Sequence, residues 1–366
     1  MKRIALLFDR TYVDAHSCFT ELARHLSKGG YEVHLYCLLN SFNPVPVFYD
    51  SNIRVLLFPR SKFERIDFWQ KVLFAKEYKY NAVIGTPFEG IFLAQKVAKK
   101  LRIPIIYMAD EIYNDKLDRH EFPDYRLLKK KDINANAFAS ATISLGEERF
   151  SYQKKINKLP ESHTYFVIPN APAGTSVQLK SNYFRDIFGI IDTKPIVLFI
   201  GTLGWSLAKK LFESSRKFKE KDYHLIFHSR TLGQMGNEEH PFIKISKTPV
   251  DSNMLNYVVS SADIGLVLYD KDSVAEKENT LTGGKIGSYL KNNLPLIAGN
   301  VLELKQLEEK GLGVYINDIS EIDAAIFKIQ NDRHAYKKNI EEVYAREYNY
   351  SVFYKSFETY LNGVIQ

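Results

Sequence analysis

Residues 261–299 read SADIGLVLYDKDSVAEKENTLTGGKIGSYLKNNLPLIAG. Ile264 to Tyr269 is a short, unbroken apolar run, the pattern of a strand buried on both faces. Residues 284–292 carry helical spacing directly after a glycine pair, and Leu296 to Ala298 form a second apolar run. A strand, one helix and another strand make a right-handed βαβ unit, so the two strands are parallel neighbours in a sheet. Thr282-Gly283-Gly284-Lys285 stands at the helix start. Glycines there expose backbone N–H groups that, with the helix dipole and the Lys285 ammonium, suit a phosphate or diphosphate. A glycine-rich turn that only caps the helix explains the same four residues.

The same rhythm extends both ways. In the second half, Pro195 to Ile200, Tyr223 to Phe227, Ile243 to Ile245 and Val314 to Ile316 read as strands, with helices over about 206–219 and 251–261. In the first half, strands are expected at Ile4 to Phe8, Glu32 to Leu39, Ile53 to Phe58, Asn81 to Gly85, Ile103 to Met108, Ala141 to Ser144 and Thr164 to Ile168. Helices at 15–28 and 88–100 separate them, the first closed by Gly29-Gly30. The fold class is therefore α/β with two Rossmann-like parallel-sheet domains. Pro169-Asn170-Ala171-Pro172-Ala173-Gly174 breaks the pattern and reads as the linker. The expected domains are 1–172, 173–334 and a tail of helices over 335–366 that packs back toward the first domain. Two such domains imply a cleft between facing carboxyl edges, a natural place for a two-substrate reaction.

Composition narrows the partners. Lys and Arg total 50 against 43 Asp and Glu, a net charge of +7. That mild, scattered excess suits anionic small molecules or an acidic membrane surface and argues against nucleic acid. Cys18 and Cys37 are the two cysteines, too few for a zinc motif or a disulfide framework, which fits a reducing cytoplasm. The opening MKRIALLFDRTYVDAH meets Asp9 and Arg10 too soon for a signal peptide, and no apolar run approaches the ~18 residues of a membrane span.

Several residues could carry chemistry. Gly201-Thr202-Leu203-Gly204 ends the first strand of the second domain, where glycine permits close ligand approach, and Lys209 follows in the helix. Leu207 takes the place of the last glycine of a dinucleotide fingerprint, so that motif is absent. Arg230, after a strand, could bind phosphate bidentately or lie solvated. Asp110-Glu111 follows another strand; adjacent carboxylates there could hold sugar hydroxyls or act as a base, or Asp110 could cap a helix. His16, His34, His120, His163, His224, His228 and His240 show no metal spacing, and no catalytic serine elbow or Walker loop appears. Lys129-Lys130-Lys131 and Lys99-Lys100 read as solvated helix faces that could touch anionic lipid.

In order along the chain, these segments resemble the retaining GT-B glycosyltransferases of glycosyltransferase family 4 (group 1). IPIIYMADEIYND is similar to the family's strand ending in an aromatic and His-Glu or His-Asp, with Asp110 at the usual His and Glu111 at the acid. FASATISLGEERF and YFVIPNAP resemble the run that closes the first domain; IVLFIGTLGW and YHLIFHSR resemble the opening strands of the donor domain. SADIGLVLYD and GGKIGSYLKNNLPLIAGN resemble the donor-domain "ADVGL" strand and the "sKxxEYxAxGxPVIA" helix, with Lys285, Tyr289, Pro295 and Ile297 in register. Ser288 stands where the family has the Glu that holds the ribose hydroxyls, the upstream Glu falls at Thr280, and Asn293 replaces a Gly.

The resemblance implies transfer of a sugar from a nucleoside diphosphate donor, UDP or GDP, to an acceptor hydroxyl with retention, and neither cofactor nor metal. Gly283, Gly284, Lys285, Ser288 and Tyr289 would serve the donor, Gly201, Thr202, Lys209 and Arg230 its phosphate side, and Asp110 and Glu111 the sugar or acceptor. The acceptor would be a glycan or lipid-linked glycan of a bacterial surface polysaccharide (capsule, lipopolysaccharide or exopolysaccharide) or glycoconjugate, handled in the cytoplasm at the inner membrane's face. A catalytically silent nucleotide-binding subunit and a nucleotide-sugar 2-epimerase on the same fold are the alternatives.

Overall fold

The computed structural model describes residues 1–8, 16–39, 47–58, 78–87, 89–112, 125–201, 206–215, 220–229, 240–248, 250–269, 280–299 and 301–365. They divide into two compact units, Met1–Ala173 with Tyr350–Gln366, and Gly174–Asn349.

The first unit runs β1 (Arg3–Leu7), α1 (Ser17–Lys28), β2 (Glu32–Leu38), β3 (Ile53–Phe58), β4 (Ala82–Gly85), α2 (Glu89–Leu101), β5 (Ile105–Ala109), α3 (Tyr125–Phe138), β6 (Ala141–Ser144), α4 (Glu147–Asn157) and β7 (Tyr165–Val167). Its seven strands lie in the order β3-β2-β1-β4-β5-β6-β7, all parallel. The period-2 alternation of β1 sends Ile4, Leu6 and Phe8 to one apolar layer with Phe19, Leu22 and Leu26 of α1. Ala5 and Leu7 go to the other layer, with Ile91, Ala94 and Val97 of α2.

The second unit runs α5 (Tyr183–Phe188), β8 (Ile196–Ile200), α6 (Ser206–Ser215), β9 (His224–His228), β10 (Ile243–Ser246), α7 (Leu255–Val259), β11 (Ile264–Leu268), α8 (Gly284–Lys291), β12 (Leu296–Gly299), α9 (Lys305–Glu309), β13 (Gly313–Ile316), α10 (Ile322–Asn331) and α11 (Arg333–Val343). Its parallel sheet has the order β10-β9-β8-β11-β12-β13. The last helix, α12 (Tyr350–Val364), belongs to the first unit, where Tyr350, Tyr354, Phe357 and Leu361 are buried against the α1 layer. Tyr344, before it, stays in the core of the second unit, as does α11.

Two local expectations change. The helix expected over 251–261 shrinks to α7, because Asp251 accepts the Asn253 N–H at 2.7 Å and builds a turn in place of a first helical turn. Lys129 is no solvated or lipid-facing residue. It is 5% exposed, with its ammonium on Asp132 at 3.1 Å and Asn157 at 2.7 Å, while Tyr107 donates to the same Asp132 at 2.7 Å. A buried lysine needs such a partner.

Candidate functional site

The chain leaves β8 toward β9 and β10, then returns to place β11 on the other side of β8. Connections that depart in opposite directions open a crevice at the carboxyl ends of β8 and β11. Backbone pairing of these strands covers Ile264↔Val197 and Gly265↔Leu198. Beyond it a side chain takes over: the Tyr289 hydroxyl, from α8, accepts the Ile200 N–H at 2.9 Å and donates to the Leu198 carbonyl at 3.0 Å. Tyr289 is fully buried, and burial pushes its phenol well above the ordinary range, so it stays a protonated donor. It therefore works as a structural wedge at the crevice.

Lys285, in the first turn of α8, reaches the crevice. Its Nζ lies 4.5 Å from the ring centre of Phe199 on β8 and 5.0 Å from that of Tyr269, just past β11. Two aromatic faces stabilise an ammonium by about 0.5–2 kcal/mol each. Gly201 closes β8 with φ +122°, a region L side chains rarely adopt, and a Cβ built there would stand 3.7 Å from Lys285 Nζ. Bare backbone thus faces the ammonium. Gly283 is the extended N-cap of α8 and, as a glycine, has no side chain to cap the first-turn N–H groups. A helix N-terminus and a cation share one end of α8, the combination that a phosphate group needs.

The other expected donor residues fall differently. Ser288 is 3% exposed and its hydroxyl donates to the Gly284 carbonyl one turn back at 2.9 Å. Thr202 and Arg230 lie outside the described residues, as does the side chain of Lys209. Asn293 adopts φ +54°, the left-handed conformation that a Gly adopts freely and that Asn tolerates better than other side chains.

In the first unit, Asp110 follows β5 and is 6% exposed. Its carbonyl accepts from Arg149 at 2.6 Å, and its carboxylate Oδ2 lies 3.6 Å from His16 Nδ1, just ahead of α1. The His16 ring meets Phe8, at the end of β1, edge-on with centroids 5.1 Å apart. Glu111 is half-buried beside them in sequence. The sequence offered no partner for His16; its place before a helix that follows a first strand was the available signal. Helix α2 packs close beside this edge, because a Cβ on Gly90 would come within 2.6 Å of the Leu7 carbonyl. Among the described residues no group of three metal-ligating side chains stands together.

Residues 211–356 match a family model described as glucosyltransferase 3-like, C-terminal domain. No curated protein matches the chain. Among solved structures the chain is similar to HepE of Anabaena in complex with UDP-glucose, at 13% identity and TM-score 0.70 over 99% of this chain and 100% of that one. Sucrose-phosphate synthase of Thermosynechococcus elongatus matches at 15% identity and TM-score 0.66, over 99% of each chain. WaaG, a glycosyltransferase involved in lipopolysaccharide biosynthesis, matches at 13% identity and TM-score 0.62 over 98% of this chain and 100% of that one. The two parallel α/β units are those of the GT-B fold.

Proposed function

We propose that this chain is a glycosyltransferase of hexosyl type that takes its sugar from a nucleoside diphosphate donor bound to the second unit. The observation that carries the reading is the Lys285 ammonium, buried beside Gly201 at the carboxyl ends of β8 and β11 on the first turn of α8. Glycosyl transfer builds positive charge on the sugar ring and negative charge on the departing diphosphate. Lys285 and the N–H groups of residues 283–285 meet the second of these without reorganising. Thr202, Lys209 and Arg230 are assigned to the same phosphates by sequence. UDP is the favoured nucleotide, since HepE binds UDP-glucose on the same fold.

Retention without a metal, as in glycosyltransferase family 4, fits this arrangement. The leaving phosphate itself would assist attack from its own face, so no protein nucleophile is needed. Asp110 and Glu111 would orient the sugar or the acceptor, with His16 holding the Asp110 carboxylate. A glycan or lipid-linked acceptor in bacterial surface polysaccharide synthesis is consistent with the WaaG likeness. Exposed Lys96, Lys99, Lys100 and Lys130 offer charge to the cytoplasmic face of a membrane, and no helix among the described residues is long and apolar enough to cross one.

A silent nucleotide-binding subunit is the second reading. It is favoured by Ser288, whose hydroxyl is engaged inside α8 where a ribose-binding acid would stand. A thermal-shift screen with UDP, GDP, ADP, CMP and their sugars, repeated on Lys285→Ala, tests both. A ligand at a hundredfold excess over its Kd stabilises the native state by about 2.7 kcal/mol. One nucleotide should raise Tm, and the rise should fall to about half or less in the variant; no shift with any of them sinks the donor site. Binding without sugar transfer or donor hydrolysis supports the silent subunit.

A further inference from the structure

We propose that a basic pocket at the amino-terminal edge of the second sheet is a separate binding site for a small phosphate monoester carrying hydroxyl groups. The cavity has a volume of about 320 Å³ and lies between residues 177–180, the turn 292–294 after α8 and the first turns of α11. That is the size of a small-ligand pocket. It stands at the opposite end of α8 from Gly283 and Lys285, about 12 Å away at 1.5 Å per residue over eight residues.

Its charge is unbalanced. Lys180, Arg333, Lys337 and Lys338 line it against one lining acid, Glu341. Asp263, beneath, is already engaged: one oxygen accepts the Ile196 N–H at 2.8 Å, and the other takes Arg333 at 2.7 Å and also Lys180. Glu341 is held by Ser176 at 3.3 Å and by Gln178. Lys337 and Lys338 have no ion pair among the described residues. Burial, then the charges of Arg333 and Lys180, hold the Lys337 ammonium below its ordinary pKa, and a bound anion offsets the repulsion among these cations.

The wall also holds acceptors in need of donors. Asn292 and Asn293 are 6% and 8% exposed. The Asn292 amide nitrogen donates to Ser288 O at 2.8 Å, and that of Asn293 to Val177 O at 3.2 Å, which fixes the orientation of both amides. Their Oδ1 atoms are buried with no hydrogen-bond partner, as is Arg333 Nε. An unsatisfied buried polar atom is costly. A ligand with a dianionic head and hydroxyl donors answers both deficits, and a sugar phosphate or a phosphoinositide headgroup with one phosphate monoester has that chemistry.

The test is calorimetric titration of the full chain with glucose 6-phosphate, with glucose as the uncharged control, on the wild type, Lys337→Gln/Lys338→Gln and Lys285→Ala. Wild type and Lys285→Ala should bind alike, the double variant about tenfold more weakly or worse, and glucose not at all. Lys337→Arg/Lys338→Arg should retain binding, which keeps the experiment decisive if the glutamine variant fails to fold. A parallel flotation with phosphatidylcholine vesicles with and without phosphatidylinositol 4-phosphate separates the sources. Capture by phosphatidylinositol 4-phosphate that is lost in the double variant identifies a lipid headgroup, and binding of glucose 6-phosphate alone identifies a soluble ligand. The proposal fails if neither binds, if glucose binds as well as its phosphate, or if binding is lost in Lys285→Ala but kept in the double variant, which would return the ligand to the crevice.

Discussion

Gly265 on β11 lies directly beneath the ring of Tyr289, so that a Cβ on it would come within 2.5 Å of the ring carbon Cγ. That contact seats the tyrosine deep enough for its hydroxyl to join Ile200 N and Leu198 O on β8. Gly265→Ala is expected to destabilise the protein by about 1–3 kcal/mol, since ring and strand backbone must move apart in a packed core. Tyr289→Phe keeps the ring but strands two buried backbone groups, which costs about 1–3 kcal/mol. Chemical denaturation monitored by circular dichroism checks both; a Gly265→Ala protein as stable as wild type would show that the contact is slack.

The Gly201 backbone and the Lys285 ammonium define the crevice mouth together, and they should separate in experiment. Gly201→Ala forces a side chain into φ +122° and is expected to lower stability by about 1–3 kcal/mol. Lys285→Ala removes a cation from the proposed phosphate site and should weaken nucleotide binding roughly tenfold to a hundredfold. Titration with UDP beside thermal unfolding reads the two effects independently. Equal UDP affinity in Lys285→Ala and wild type would remove the ammonium from the donor site.

Ser288 offers a sharper contrast. Its hydroxyl is engaged by the Gly284 carbonyl and its side chain is buried, so Ser288→Ala should leave UDP affinity within about twofold. A loss beyond about tenfold would mean that the hydroxyl turns away from α8 to meet the ligand.

The strand and helix alternation was legible because both sheets are parallel and covered on both faces, which leaves unbroken apolar runs such as Ile196–Ile200 and Ile264–Leu268. The helix start at Gly283-Gly284 was legible because its pattern is local. What surrounds Lys285 was not, since Phe199 reaches it from a strand distant in sequence and Tyr269 from just past β11. The same holds for His16 and Asp110, which precede α1 and follow β5, far apart in sequence. Lys129 misled for a related reason: within a run of three lysines nothing local shows which one turns inward to Asp132. The glycine-to-asparagine departure at Asn293 looks like a lost motif in sequence, yet its φ of +54° keeps the backbone path that glycine provides.

A buried polar cluster at the edge of the first sheet should set the acid limit of stability. His34, fully buried, has Nε2 2.9 Å from Glu32 Oε1 and Nδ1 2.8 Å from the Tyr80 hydroxyl, while Arg3 holds Glu32 Oε2 at 2.6 Å. Burial holds the His34 imidazole below its ordinary 6.5 despite the neighbouring carboxylate. For Glu32, burial alone would raise the pKa, but the bonds from Arg3 and His34 outweigh it and bring the carboxyl from 4.5 down to about 2. Both folded-state values are depressed, so in acid the unfolded chain binds more protons and stability falls with pH. The His34 contribution is present above pH 6.5 and is lost below it; that of Glu32 is present above pH 4.5 and is lost as pH falls toward about 2. His25 and His163, also held down by burial, add to the first limb only. Urea unfolding across pH 8 to 2.5 should therefore show two declines, and Glu32→Gln should flatten the second while lowering stability at pH 7. An unchanged slope below pH 4.5 in Glu32→Gln would place the acid limit on other carboxylates.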